Sequence, residues 1–269
     1  MFENNMIFAF TLTAIAGVST GFGSLMVLFT KRTNKRFLSF TLGFSAGVML
    51  YVSFVEILGK AVSSLSVIHG EKLGNIYAVL GFFGGILIIA LIDKLMPKMG
   101  NPHEIHTVEE MSGESEEHKT NLMRMGIFTT VAIAIHNFPE GLATFLSAID
   151  DPSTGVAVTV AIALHNIPEG IAVAVPIFYA TNNRMKAFRL SFLSGVSEPL
   201  GALIGYYLLI NFFGDDVFGI IFAAVAGIMV YISLDELLPA AKEYGEHHTS
   251  ILGVVLGMAI MAISLLIFI

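Results

Sequence analysis

The sequence predicts an all-α integral membrane protein: eight transmembrane helices in an inverted-repeat architecture, with both termini outside. Three observations carry this reading. Hydrophobic residues make up 55% of the 269-residue chain and charged residues only 13%, about half the charged share of a soluble globular protein. Eight apolar runs are each long enough to supply the roughly 20 helical residues that cross a bilayer core. The basic residues fall in alternate connections, as the positive-inside rule requires. Mean hydropathy is +0.79, which excludes disorder, and the chain has no cysteine. A disulfide scaffold, thiolate metal sites and thiol catalysis are therefore excluded as well. A transmembrane barrel would need short alternating segments of about ten residues, and these runs are longer and continuous.

The first span, Met6–Thr30, is too long for a secretory signal and lacks its basic leading segment, so it reads as a helix of the mature chain. Lys31, Arg32, Lys35 and Arg36 follow it. The second, Phe37–Leu58, leads into a connection whose cations are Lys60 and Lys72. The third, Leu73–Met96, ends on Lys94, and Lys98, Lys119 and Arg124 lie before or at the start of the fourth, Met123–Ala148. Asp150 and Asp151 separate that span from the fifth, Thr154–Ala180. Arg184, Lys186 and Arg189 introduce the sixth, Ala187–Phe212, and Asp215 and Asp216 precede the seventh, Val217–Leu238. Lys242 follows, and the eighth is Ile251–Ile269. Only Lys60 and Lys72 of the 14 basic residues fall on the second side, so the first side is cytoplasmic. The spans form a single transmembrane domain over 1–269, and the 26 glycines suit close approach of membrane helices.

One connection is long. Residues 97–122 carry six Glu together with His103, His106 and His118, without an apolar period, and are expected to form a flexible cytoplasmic loop. Two readings of it stand: a solvated linker, or a weak metal-collecting segment, since imidazole and carboxylate both bind divalent cations.

The chemistry lies inside the spans. Val131–Ala143 reads VAIAIHNFPEGLA and Val160–Ala172 reads VAIALHNIPEGIA, a duplication with three differences. The two copies enter the membrane from opposite sides, so the repeat is inverted in space and predicts a site on a pseudo-two-fold axis near the midplane. His136 and Glu140 are four apart, as are His165 and Glu169, which puts each pair on one helix face. Asn137 and Asn166 occupy the adjoining strip. Pro139 and Pro168 free the carbonyls of Ile135 and Leu164 and are expected to kink each helix. Gly141 and Gly170 allow close approach. At about 1.5 Å per residue, His136 lies roughly 18 Å from the cytoplasmic end of its span and His165 roughly 16 Å from the outer end of its own.

Two carboxylates alone in apolar surroundings repel, and one takes up a proton. A divalent cation removes the conflict and suits imidazole nitrogen and carboxylate oxygen. Glu198, followed by Pro199, adds a third carboxylate near the middle of the sixth span. Glu56 lies near the outer end of the second span, and Asp235 and Glu236 near the inner end of the seventh. These three read either as a relay at the entrance and the exit or as interfacial carboxylates reaching water.

The duplicated His136–Gly141 and His165–Gly170 motifs, with Glu198, resemble the ZIP (Zrt/Irt-like) divalent-metal transporters, and in particular their bacterial branch. FSAGVMLYVSFVEIL at Phe44–Leu58 and LDELLPAA at Leu234–Ala241 resemble that branch too. The resemblance implies eight helices with both termini outside and metal uptake into the cytoplasm across a bacterial plasma (inner) membrane. It implies a binuclear centre: His136, Glu140, His165 and Glu169 at one position, and Asn137, Asn166 and Glu198 at a second, with Glu140 and Glu169 bridging. Some relatives carry Gln–Asp where this chain has His165–Asn166, so this site carries less charge. The cargo implied is Zn²⁺, with Fe²⁺, Mn²⁺, Co²⁺ and Cd²⁺ as further substrates and no cofactor. Alternating access with a moving helix bundle is implied, and homodimers are known among members; the partners are metal ions and the lipid bilayer, not nucleic acid. Two rival classes are a metal-dependent intramembrane enzyme and a metal-gated channel. A metalloprotease would show His-Glu-x-x-His, which the chain lacks, and a channel would need a continuous pore and no tight ligand cluster.

Overall fold

The computed structural model describes residues 2–29, 34–95, 116–212, 215–244 and 247–267. They form eight helical rods. These are α1 (Phe2–Phe29), α2 (Lys35–His69), α3 (Glu71–Leu95), α4 (Glu116–Asp150), α5 (Pro152–Thr181), α6 (Arg184–Gly195, then Ser197–Phe212), α7 (215–244) and α8 (His247–Ile267). No strand occurs among the described residues. Stretches of six rods, α1, α2, α3, α5, α7 and α8, are long and apolar enough to cross a membrane. The other two are α4, which carries the first copy of the motif, and α6, which is divided at Val196. Large apolar side chains point outward along α3, among them Val79, Leu80, Phe83, Leu87 and Ile88. Such a surface is a liability in water and the required one in lipid.

Most limits agree with the apolar runs to within a turn. One difference is at α4, which begins at Glu116, so the end of the expected loop (116–122) is helical. The remainder of that connection, with His103 and His106, lies outside the described residues. Between α4 and α5 the turn is tight: Asp151 caps α5, accepting from the N–H groups of Ser153 (3.3 Å) and Thr154 (3.0 Å), with Pro152 at the first helical position. The hydroxyl of Thr154, which donates at 2.5 Å, and with it the two backbone cap bonds hold the Asp151 carboxyl below its ordinary range.

The rods sort into two bundles. α1, α4, α5 and α6 pack chiefly on one another, and α2, α3, α7 and α8 do the same. The bundles meet mainly where α2 lies on α5, with thinner contacts of α4 on α7 and of α8 on α5.

A second repeat emerges in α2 and α7. GVMLYVSFVEIL (Gly47–Leu58) and GIMVYISLDELL (Gly227–Leu238) share six of twelve residues. Each contains a π turn, Val52–Ile57 and Ser233–Leu237. The local cause is the shared serine. Ser53 donates its hydroxyl to the Met49 carbonyl (2.6 Å) and Ser233 to that of Met229 (2.8 Å), a back-bond that competes with the helix's own N–H. Five residues on, the N–H groups of Leu58 and Leu238 reach the Ser53 and Ser233 carbonyls, the spacing of a π turn. Glu56 and Glu236 occupy the same repeat position.

Candidate metal centre

The two HNxPEG copies face each other across α4 and α5, inside the first bundle. Both helices continue through Pro139 and Pro168. The motif glycines do matching work. A Cβ on Gly141 would collide with the backbone carbonyl of Glu198 on α6, and one on Gly170 with that of Thr20 on α1. Each motif is thereby held backbone to backbone against a different neighbour. Ser191 ties the second contact, donating to the carbonyls of Gly170 (3.1 Å) and Thr20 (3.3 Å).

This packing brings four ligand-type side chains together. His165 Nε2 lies 3.1 Å from Glu140 Oε2 and 3.7 Å from Glu169 Oε1. His136 Nε2 lies 3.4 Å from the same Glu169 oxygen. Atoms of Glu140, His165 and Glu169 fall within 4.8 Å of one another, so a single ion could reach all three. All four residues are buried, Glu140 and His165 completely.

A second group adjoins the first. With its amide nitrogen as donor, Asn137 bonds the Ile133 carbonyl (3.1 Å) and Glu169 Oε2 (3.0 Å). Glu169 thus turns one oxygen to the imidazoles and the other to the carboxamide. Asn166 donates to the Ala16 carbonyl (2.9 Å) and to Glu198 Oε1. Glu140 Oε1, Asn166 Oδ1 and Glu198 Oε2 are buried acceptors with no partner. Leaving a buried acceptor unpaired costs about 1–3 kcal/mol, more for a charged one. Three such oxygens near two imidazoles make a donor set that a divalent cation satisfies and an apolar core does not.

All seven residues picked from the sequence are therefore near this cluster. The three peripheral acids divide differently. Glu236 lines two small cavities, of about 20 and 10 Å³, that touch His136; the larger also touches Glu169, Leu237 and Ala240. Such volumes hold about one water-sized occupant each. The smaller also touches Asp93 of α3, which sequence reasoning missed; an acid inside the last turn of an apolar run was its one signal. Asp235 lines neither cavity. Glu56, at the opposite end of the bundle, is ion-paired with Lys60 at 3.4 Å.

Comparison with known proteins agrees with this chemistry. The ZIP Zinc transporter family model matches residues 4–110 and 97–265. The chain is 62% identical over 265 residues to the zinc transporter ZupT of Chlorobium chlorochromatii, covering 98% of this chain and 99% of that one. It is 58% identical over 278 residues to the zinc transporter ZupT of Clostridium perfringens, with 99% and 98% covered. With the zinc transporter ZupT of Streptococcus mutans it shares 60% over 267 residues, with 99% and 100% covered.

Proposed function

The chain belongs to the ZIP zinc transporter family, and on that premise we propose that it carries zinc into the cytoplasm through the His136/Glu140/His165/Glu169 cluster. It is a multi-pass membrane transporter and not an enzyme. The observation that carries the site assignment is the convergence, on buried faces of α4 and α5, of two imidazoles and two carboxylates beside three unpartnered acceptor oxygens. Zn²⁺ takes His nitrogen and carboxylate oxygen at about 2 Å, and a small inward adjustment of these side chains closes on one ion. Asn137, Asn166 and Glu198 extend the set toward a second ion, with Glu169 and Glu140 between the two positions.

All eight rods cross the membrane in this reading, and the whole chain acts as one transport unit. α4 and α6 are poorer in apolar residues because they face other helices and the cargo rather than lipid. The end of the bundle that carries Lys35, Arg36, Lys94, Arg124 and Arg184 faces the cytoplasm, and the end with Asp150 and Asp151 faces outward, so both termini lie outside. Metal leaves toward the cytoplasm past Glu236, beside the cavities that touch His136. Alternating access is supported by the division into two bundles, because the ligands all belong to α4, α5 and α6 while Glu56 and Glu236 belong to the other bundle.

The test is uptake by purified protein in liposomes that enclose a zinc indicator. Saturable zinc uptake, competed by Cd²⁺ and Co²⁺ and not by Mg²⁺, is the expected result. Flux that does not saturate would assign a channel, and no flux with metal-dependent turnover of an added peptide would assign an enzyme.

A further inference from the structure

The α2/α7 repeat is symmetric up to its π turns and then departs from symmetry at one charged position. Leu58 aligns with Leu238, Gly59 with Pro239 and Lys60 with Ala240. At the inner end Ala240 is small, and the cavity it lines reaches His136 and Glu169. At the outer end the same position holds an ammonium. Lys60 Nζ lies at ion-pair distance from two carboxylates, 3.4 Å from Glu56 and 2.9 Å from Asp150, without a hydrogen bond of good geometry to either.

These two partners differ in kind. Glu56 is on Lys60's own helix, one turn back. Asp150 is the last residue of α4 and so belongs to the bundle that holds the ligands. Lys60 is therefore an ionic bridge between the bundles, at the end where a cleft of about 520 Å³, lined by residues such as Ser64, Leu146, Ile149 and Phe218, otherwise separates them.

We propose that Lys60 is the outer gate of this carrier, a positioning residue whose ammonium pins α2 to the end of α4 while the outer path is shut and must release Asp150 before that path opens. The inference rests on the carrier reading above. Opening the outer path requires the ligand bundle to move against α2, which carries Asp150 away from Lys60, so the pair counts only toward the closed state. A partly exposed pair of this kind is worth up to about 1 kcal/mol, a factor of about five in the closed-to-open ratio.

A thiol reporter reads that ratio without measuring transport. The chain has no cysteine, and Ser147 is completely buried with its hydroxyl unpartnered. It lies seven residues beyond Glu140, on the same face of α4, between the cluster and the outer end. Ser147→Cys in sealed proteoliposomes is exposed to a membrane-impermeant methanethiosulfonate, added on the outer face. Adding Lys60→Met is expected to speed labelling about fivefold, and adding Asp150→Asn should do the same. The two together should be no faster than either alone, because both remove one bond, and Lys60→Arg should label at the rate of the reporter alone. Equal labelling with and without Lys60→Met, absence of labelling in both, or effects of Lys60→Met and Asp150→Asn that multiply would overturn the gate. Loss of zinc uptake in the unsubstituted chain would instead count against the carrier reading, since labelling does not depend on it.

Discussion

Glu140→Gln isolates the charge of one proposed ligand from its shape. Glu140 is completely buried, with Oε2 3.1 Å from His165 Nε2 and Oε1 without a partner. The amide keeps the volume, and because Gln offers both a donor and an acceptor it can still bond the imidazole in either tautomer. Folding should therefore survive. What is lost is one negative charge next to the ion, and with it the oxygen that no protein group satisfies. Removing one member of a buried charge pair costs about 3–5 kcal/mol; even the lower figure is on the order of a hundredfold in affinity. Zinc uptake into proteoliposomes should show an apparent affinity weakened by about a hundredfold or more, or no saturable component, at unchanged protein incorporation. Glu140→Asp, which keeps the charge and retracts it by one methylene, should fall between. If Glu140→Gln transports zinc with an affinity within threefold of the parent, Glu140 is a packing residue and the assignment fails.

Three further outcomes follow from the same geometry. Deleting residues 104–117 should leave initial zinc uptake intact, whereas His165→Ala should abolish it, both normalised to surface amount; the reverse pattern would move the metal path to the loop. Gly141→Ala drives a methyl into the Glu198 backbone and should lower thermal stability in detergent by about 1–3 kcal/mol, while Gly84→Ala, mid-helix and meeting nothing within 4 Å, should leave it unchanged or raise it by up to about 1 kcal/mol. Ala240→Lys places at the inner end the cation that Lys60 supplies at the outer; zinc uptake should fall at least about tenfold, with Ala240→Met, similar in bulk and uncharged, much less affected. Equal loss in both Ala240 variants would assign the effect to crowding.

Most of the site was legible because membrane burial makes polar residues conspicuous. Inside an apolar run a His–Asn–x–Pro–Glu–Gly string is conspicuous, and its duplication in two consecutive spans pointed to one shared site. Most element limits were legible for the same reason. One exception is the start of α4, where Glu116 and Glu117 look like loop residues unless their position at a helix start is known. The others are the ends of α2 and α7, which run past Leu58 and Leu238 to His69 and Tyr244 because Lys60, Ser63 and Ser64, and Lys242, end the apolar run without ending the helix. The pairing of particular atoms was not legible. Spacing puts His136 and Glu140 on one face and says nothing of which carboxylate each imidazole meets; the structure sets His136 against Glu169 and His165 against Glu140. These cross-helix contacts are decided by the approach of Gly141 to α6 and Gly170 to α1, which no single-helix pattern encodes. Asp93 was missed because it looks like the polar end of a span, and its cavity is made jointly by α3, α4 and α7.

The two repeats depart from symmetry to different degrees, and the difference follows from what each must do. The α4/α5 copies carry the proposed ligands, which in the carrier reading must serve an ion arriving from either side; their motifs differ at three of thirteen positions, all apolar exchanges. The α2/α7 copies border the paths, and those paths are never required to be open together. A carrier with identical gates would hold its two closed states at equal energy, and any bias between them would come from the cargo alone. Lys60 in place of the Ala240 equivalent supplies a bias from the protein itself, and it does so outside the ligand set, where charge can be changed without altering metal affinity. Because a ligand shifts a conformational equilibrium only by its differential affinity for the two states, a modest pair at the outer end is worth more to such a device than a strong one. A bridge of several kcal/mol would demand an equally large preference of the cargo for the outward state, and the ion would then resist release on the other side.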